Sequence, residues 1–363
     1  MKTKDSEGRM TMQKIRTAVI GQGRSGHNIH VAALKDMTDR YEIVAVADPL
    51  PGRCDDAVNA TGCAAYTDYR EMIKRDDLDL VVNATMSPDH VPVTLEALEA
   101  GHNVLVEKPV ARYVADVDRL IAKSKETGKL LAVFQQSRFA PYFQQVLKVL
   151  DSGVLGRVAQ INIAFNGFAR RWDWQTLQDM NAGSLLNTGP HPMDQALRLF
   201  GFDTMPNVLC VMDRLNTFGD AEDHVKILLT GAGKPTIDLE ISSCAPYSDF
   251  MYQIYAQYGG LKGKADHIEW KYYKPEEAPK QHLIREPLDG RQYCREELTW
   301  HTESWDLPEE QKNWFQYMAR QFYGNLYDAL TTGAPLAVPL DQVRRQIEVI
   351  EECHRQNPLS KAG

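Results

Sequence analysis

Lys108 and His191 are the side chains of this chain best suited to moving a proton. Lys108 lies in Glu107-Lys108-Pro109, directly after the apolar run Asn103 to Val106, so it is expected at a strand end. Pro109 disfavours helical backbone at the residue before it and so aims the lysine. Taken alone, the same tripeptide describes a surface ion pair; its position behind a strand favours a site. His191 ends the segment Gly183-Ser-Leu-Leu-Asn187-Thr-Gly-Pro-His191, ahead of a helix predicted over Pro192 to Phe200 and stopped by Gly201. Asn187 stands one turn before it and Asp194 one turn after. The bland alternative makes His191 a helix cap and Asp194 a complement to the helix dipole. An imidazole titrates near neutrality and can take an O–H proton, while an ammonium stabilises growing alkoxide character. Together they suit oxidation of a carbinol by hydride loss, or the reverse.

A hydride needs an acceptor, and Gly21-Gln22-Gly23-Arg24-Ser25-Gly26 is a place to hold a dinucleotide. The bare pattern is weak. Its context is stronger: an apolar run (Ile15 to Ile20) precedes it, a helix is predicted from Gly26 toward Lys35, and Asp48 ends the next strand about 20 residues on. Gly21 makes the tight turn, Gly23 lets the backbone approach pyrophosphate, and Gly26 lets helix and strand pack closely. The helix N-terminus then faces the anion, with Arg24 and Ser25 adding contacts. Asp48 would accept from the adenosine ribose hydroxyls, which favours NAD over NADP. Arg53 nearby would neutralise a 2′-phosphate or stack on adenine.

The elements that must carry these residues alternate. Strands are predicted at Ile15 to Ile20, Tyr41 to Ala47, Leu78 to Ala84, Asn103 to Val106 and Leu130 to Phe134, with helices at Pro88 to Ala100 and Tyr113 to Thr127. This is a doubly wound parallel sheet, with Gly21, Asp48, Thr85 and Lys108 on its C-terminal rim. After Ala140 the rhythm changes. A helix at Tyr142 to Leu150 leads to strands at Arg157 to Phe168, Val208 to Met212, His224 to Thr230, Thr236 to Ser242 and Met251 to Tyr258. They form an α+β unit with one broad, mainly antiparallel sheet. Lys262 to Glu310 reads only as long loops and short strands, whose aromatic residues serve as a lid or a subunit contact. Helices follow at Trp314 to Leu330 and Leu340 to Arg355. The expected division is a flexible tail (1–14), a dinucleotide unit (15–138), a substrate and oligomerisation unit (139–340), and a C-terminal helix and tail (341–363) packing back near the first unit.

At 363 residues, two cores are expected. A formal net charge of −8 argues against nucleic acid or an anionic membrane as partner. The polar N-terminus has no apolar secretory core, and no apolar run reaches the ~20 residues needed to cross a bilayer. Six cysteines without a CxxC pair suggest reduced thiols in the cytoplasm, and no Cys/His cluster has metal-ligand spacing. Arg170-Arg-Trp172-Asp-Trp174 is read two ways: Trp faces and an Arg for a sugar, or an aromatic patch anchoring a loop. Arg138 either binds substrate or braces the junction between units.

The glycine loop, Glu107-Lys108-Pro109 and Gly183 to Asp194, in this order, resemble the glucose–fructose oxidoreductase/inositol dehydrogenase/MocA family. Gln136-Ser-Arg138-Phe-Ala-Pro141, Leu150 to Gly156 and Pro335 to Ser360 are similar to it as well. The resemblance implies a Rossmann domain followed by a large open sheet, with nicotinamide and substrate meeting between them. It implies Lys108 and His191 as catalytic residues, and Thr85, Ser87, Pro88, His90, Glu107 and Gln136 beside the cofactor. Asn187 and Asp194 beside His191, together with Arg138, Arg170, Trp172 and Trp174 in their ligand readings, are the residues expected toward the substrate. The resemblance also implies homodimers or homotetramers formed through the sheet. The chain departs from the family at Asn187, where aspartate is usual; asparagine orients a neighbour but brings no charge. The expected activity is an NAD(H)-dependent dehydrogenase of a sugar, sugar derivative or cyclitol. One alternative keeps and recycles its NAD while oxidising a glycoside to a keto-glycoside and reducing a second sugar. Another, for which Asn187 argues, is a non-catalytic NAD-binding regulator.

Overall fold

The computed structural model describes residues 14–288, 290 and 292–360, together with β1 (Lys2–Lys4) and β2 (Met10–Met12) as backbone strands. These two short strands pair antiparallel, with Thr3 opposite Thr11.

Six parallel strands form the first sheet: β3 (Ile15–Ile20), β4 (Tyr41–Ala47), β5 (Ala64–Tyr66), β6 (Leu80–Asn83), β7 (Asn103–Val106) and β8 (Leu131–Val133), in the order β5-β4-β3-β6-β7-β8. The apolar runs of β3, β4, β6, β7 and β8 are largely buried because helices cover both faces, while β5 at the edge is exposed. The chain leaves β3 toward β4 and returns to the other side of β3 as β6. The loops after β3 and β6 therefore diverge at the switch point, where such sheets bind ligands.

The second sheet has eight strands: β9 (Val158–Asn166), β10 (Asn207–Asp213), β11 (His224–Thr230), β12 (Thr236–Ser242), β13 (Tyr252–Ala256), β14 (Gly259–Gly263), β15 (His267–Tyr272) and β16 (His301–Asp306). Their order is β10-β11-β12-β9-β13-β14-β15-β16, and only β9 with β12 is parallel. Alternate residues point to a covered and an open face, as in β11, where Val225, Ile227 and Leu229 are buried.

The helix Trp314–Thr332, expected within the second unit, instead packs on the first sheet. Phe322 meets Phe134 edge-on at 5.0 Å between ring centroids, and Tyr323 meets Tyr41 at 5.3 Å. Such pairs contribute about 0.5–1.5 kcal/mol each beyond area burial. The helix Leu340–Gln356 bridges both units: Glu351 accepts from Val114 N at 2.8 Å, and Gln356 accepts from Cys210 N at 2.8 Å.

Three buried acids accept from main-chain amides in the connections of the second unit. Asp220 accepts from Gln178 N at 2.7 Å, and Asp223 accepts from the amides of Leu215, Asn216 and Thr217. The Glu222 carboxylate accepts from Leu185 N at 2.9 Å, in the short helix Ser184–Asn187, and lies against the left-handed Gly183. A side chain at Gly183 would strike that carboxylate. Burial pushes the Glu222 carboxyl up to about 7, against the opposing pull of the Leu185 amide and the Arg112 charge, while Asp223 adds to the rise. The folded protein thus binds this proton more tightly than the unfolded chain. Between about 4.5 and about 7 the Glu222 contribution to stability falls as pH rises. Glu222→Gln keeps the acceptor for Leu185 and removes the titration. The difference between wild-type and variant unfolding free energies should therefore change by up to about 3 kcal/mol across that window, read by denaturant titration at several pH values. A difference independent of pH would contradict the assignment.

Candidate active site at the junction of the two sheets

Lys108 leaves the end of β7 through a cis Lys108–Pro109 bond. Its Nζ donates to the main-chain carbonyl of Asn187 at 3.0 Å, so a residue of the first sheet is tied to the segment that carries His191. Burial lowers the Lys108 pKa, Glu107 works to raise it, and Arg24 lowers it further. His191 begins the helix Pro190–Phe200, and its Nδ1 lies 3.1 Å from Ser137 Oγ. Burial and then the Lys108 charge push the imidazole down to about 3, with Glu107 opposing. The two groups therefore lie within electrostatic reach of one another, and both influences favour the neutral imidazole.

Glu107 is buried and accepts from Lys108 N at 3.0 Å and from His30 Nε2 at 3.2 Å. Burial alone would raise its pKa. The His30 hydrogen bond, backed by the charges of His30 and Lys108, holds it down at about 2. His30 Nδ1 continues to Tyr323 Oη at 2.7 Å. Sequence reasoning missed this chain of contacts because Tyr323 is remote along the polypeptide. Ser137 was missed as a contact of His191 although it lies in the motif Gln136-Ser-Arg138, and Glu222 was missed because nothing in its local sequence marks it.

The residues at the first-sheet rim fit a dinucleotide. Gly21 has φ +84°, and a side chain there would run into the Ala84 carbonyl; one at Gly26 would hit the Gly21 carbonyl. Gly23 faces open space, which is what close approach of a pyrophosphate requires. The helix beyond opens in the wide π form, Gly26–Val31, and continues as Ala32–Leu34. Arg24 is exposed and Ser25 half-buried at its start. Gln22 and Gln136 each bury an Oε1 without a hydrogen-bond partner among the described residues, leaving acceptors for a ligand. Asp48 accepts from Gln22 N at 2.8 Å and from Leu50 N at 2.9 Å, and Arg53 Nη1 lies 3.7 Å from it. Thr85, Ser87 and Pro88 follow β6 on the same rim; Thr85 donates to Asn83 Oδ1 at 2.7 Å.

Several expectations change. His90 is buried, with Nδ1 2.7 Å from the Pro109 carbonyl and Nε2 3.2 Å from the Thr85 carbonyl; it braces the loops of the rim rather than offering a ring to the cofactor. Arg138 and Asp194 form a buried two-pronged ion pair at 2.7 and 2.6 Å, and Arg138 also reaches Gln342 Oε1 at 3.0 Å. Neither is left for a substrate, so the bracing alternative for Arg138 is the one realised. Asn187 does not orient His191: its Nδ2 donates to the Gln175 carbonyl at 2.7 Å, and its buried Oδ1 has no partner among the described residues. Arg170 and Trp172 are exposed beside Phe218, with Trp174 half-buried at the start of a short turn; Arg171, Asp173 and Gln175 strap that loop together.

Comparison with known proteins agrees with this geometry. Residues 15–135 match the model of an oxidoreductase family with an NAD-binding Rossmann fold, and residues 143–262 match the GFO/IDH/MocA C-terminal domain. An uncharacterized oxidoreductase of Schizosaccharomyces pombe is 29% identical over 194 residues, 52% of this chain; the chain spans about half (53%) of that relative's length. The scyllo-inositol 2-dehydrogenase (NADP(+)) IolW of Bacillus subtilis is 26% identical over 254 residues, 69% of each chain. The crystal structure of the WlbA dehydrogenase of Bordetella pertussis, in complex with NADH and UDP-GlcNAcA, superposes with a TM-score of 0.77 at 20% identity, covering 98% of this chain and all (100%) of that one. With both halves matched in order on the two sheets just described, the chain belongs to the GFO/IDH/MocA family of oxidoreductases.

Proposed function

We propose that this protein is an NAD(H)-dependent dehydrogenase that transfers hydride between nicotinamide and a secondary hydroxyl of a sugar, sugar derivative or cyclitol. The observation that carries the reading is the Lys108 Nζ to Asn187 carbonyl bond at 3.0 Å, which sets an ammonium beside a neutral imidazole at the glycine-lined rim. Bound NAD would supply the hydride acceptor, held by Gly21 to Gly26, Asp48 and Gln136. His191 takes the hydroxyl proton. For Nε2 to be the free base, Nδ1–H must donate to Ser137 Oγ, and Gln195, donating to the Ser137 carbonyl at 2.8 Å, fixes that residue. Lys108 donates to the same substrate oxygen and stabilises its negative charge. Asn187 Oδ1 remains as an acceptor for a neighbouring hydroxyl.

The scyllo-inositol activity in the name of IolW supports the substrate class. For the cofactor, NADP(+) in that name and NADH in the WlbA complex point in different directions; Asp48 at the ribose position favours NAD here. No described helix is long and apolar enough to cross a membrane. Unpaired cysteines, four of them buried, support a cytoplasmic setting. Leu209 (60% exposed), Val211 (57%) and Tyr255 (47%) on the open face of the second sheet support a homodimer or homotetramer through that face.

Lys108→Met and His191→Asn should each lower kcat on the best polyol by on the order of a hundred- to ten-thousandfold, with NAD affinity changed only a few-fold. In Lys108→Met the loss of a neighbouring positive charge should raise the His191 pKa and move the acid limb of residual kcat/KM to higher pH. Unchanged turnover in both variants would reject catalysis by this pair and favour a regulator. Gly23→Val should abolish measurable NAD binding in a fluorescence titration, because a side chain would occupy the open pyrophosphate space. Arg53→Ala should weaken NADP more than NAD; the reverse ranking would overturn the assignment of Arg53 to the 2′ position.

A further inference from the structure

The second sheet encloses more room than a single reacting ring needs. An open cavity of about 600 Å³ lies against the ends of β9 and β12 and the turn between β14 and β15. Its lining lies wholly within residues 164–314 and includes neither the glycine loop nor Lys108. Yet Ser184 and Thr188, within the segment that carries His191, form part of its wall. Thr188 directly follows the residue whose carbonyl holds Lys108, and its own carbonyl accepts from His191 N at 3.1 Å. A molecule with its reacting hydroxyl at Lys108 and His191 thus has the cavity as its next neighbour.

The wall chemistry is specific. Phe165, Phe168 and Trp314 supply aromatic surface, while Ser184, Thr188 and Ser248 supply hydroxyls. Phe168 is 60% exposed at the mouth, on a backbone fixed by its bridge to Cys244. The charged lining residues are one lysine, Lys264, and one acid, Asp266, which cancel. Aromatic faces interleaved with uncharged hydrogen-bonding groups match a sugar ring, which presents C–H faces and a hydroxyl rim. An anionic group such as a phosphate would find no net positive charge here, and a purely apolar substituent would leave the hydroxyls without ligand partners.

We propose that the substrate is a neutral glycoside of at least two rings, oxidised on one ring while the second sugar occupies this cavity. The proposal rests on the dehydrogenase reading above and adds the substrate's size and charge. In the step, one C–H leaves as hydride to the nicotinamide and the hydroxyl proton goes to His191. The carbinol becomes a ketone and the glycosidic bond is untouched, so the products are a keto-glycoside, NADH and a proton.

The test uses the full chain with NAD and matched pairs of disaccharides and the free monosaccharides corresponding to their non-reducing rings, following NADH. Expected is a kcat/KM about tenfold or more higher for the disaccharide of the productive pair. Phe168→Ala, which removes a wall, and Ser248→Trp, which fills the space, should each cut the disaccharide value about tenfold or more, with the monosaccharide value kept within about twofold. The monosaccharide rate doubles as the check that each variant is folded. Equal kcat/KM for both members of every pair, or variants that affect both members alike, would overturn the second-ring site and leave the dehydrogenase reading standing. Lys108-dependent turnover of free sugars alone would do the same. No turnover of any sugar would remove the dehydrogenase reading and the second-ring site with it.

Discussion

A half-buried ammonium that donates to a main-chain carbonyl is the constraint on which the rest of this site depends. Lys108 comes from the first sheet and the Asn187 carbonyl from the segment over the second, so the bond ties the two units together at their junction. A carbonyl is a polar but uncharged acceptor. It satisfies one ammonium hydrogen without neutralising the charge, and two donors remain free. Burial then destabilises the charged form, and Glu107 keeps the lysine from losing its proton altogether. An ammonium held in this way is poised to donate to an oxygen that gains negative charge.

Everything around that bond serves to keep its two ends in place. On the lysine side, Glu107 is gripped by His30, and His30 by Tyr323 of a helix that joins the first core from far along the chain. On the carbonyl side, Glu222 holds Leu185, Gln175 holds the Asn187 side chain, and the Arg138–Asp194 pair anchors the helix that His191 begins. Breaking a buried pair of this kind by removing one partner costs about 3–5 kcal/mol, because the remaining charge is stranded. Rigid support of this kind favours catalysis by preorganised charge, in which little is left to rearrange during reaction.

Local signals in the sequence account for the sheets and the principal pair. β4, β11 and β12 occupy the residues expected of them, because alternation or a continuous apolar run sets both type and length. The glycine loop was legible because each glycine answers a distinct steric demand. β14, β15 and β16 were not legible: β14 is Gly-Gly-Leu-Lys-Gly, a poor strand former that persists through its pairing with β13 and β15, and the connection from β15 to β16 is long. Asp194 was expected toward the substrate, and Arg138 either there or bracing the junction, because both lie in motif segments. Sequence spacing does not reveal that two charges far apart in the chain satisfy each other. The roles of His90, His30 and Glu222 are likewise tertiary.

The asparagine at position 187 takes on a different meaning once its atoms are placed. An aspartate there would bring a carboxylate into the segment whose main chain holds Lys108, and a negative charge close to Lys108 or His191 favours the charged form of each. Here the lysine is anchored by the main chain of residue 187, so the anchor does not depend on which side chain is present. What the asparagine changes is the electrostatic balance: the imidazole stays neutral, and the nearest negative charge is Glu107, which acts on both groups. In the proposed oxidation, His191 gains a positive charge just as the hydride acceptor loses one, so the net charge of the crevice is conserved through the step. A site that preserves its charge has less need of a further carboxylate to stabilise the imidazolium. On this argument Asn187 is compatible with catalysis, and its unpartnered Oδ1 gains a use that a lysine-paired carboxylate would not have, as an acceptor for a second hydroxyl of the substrate.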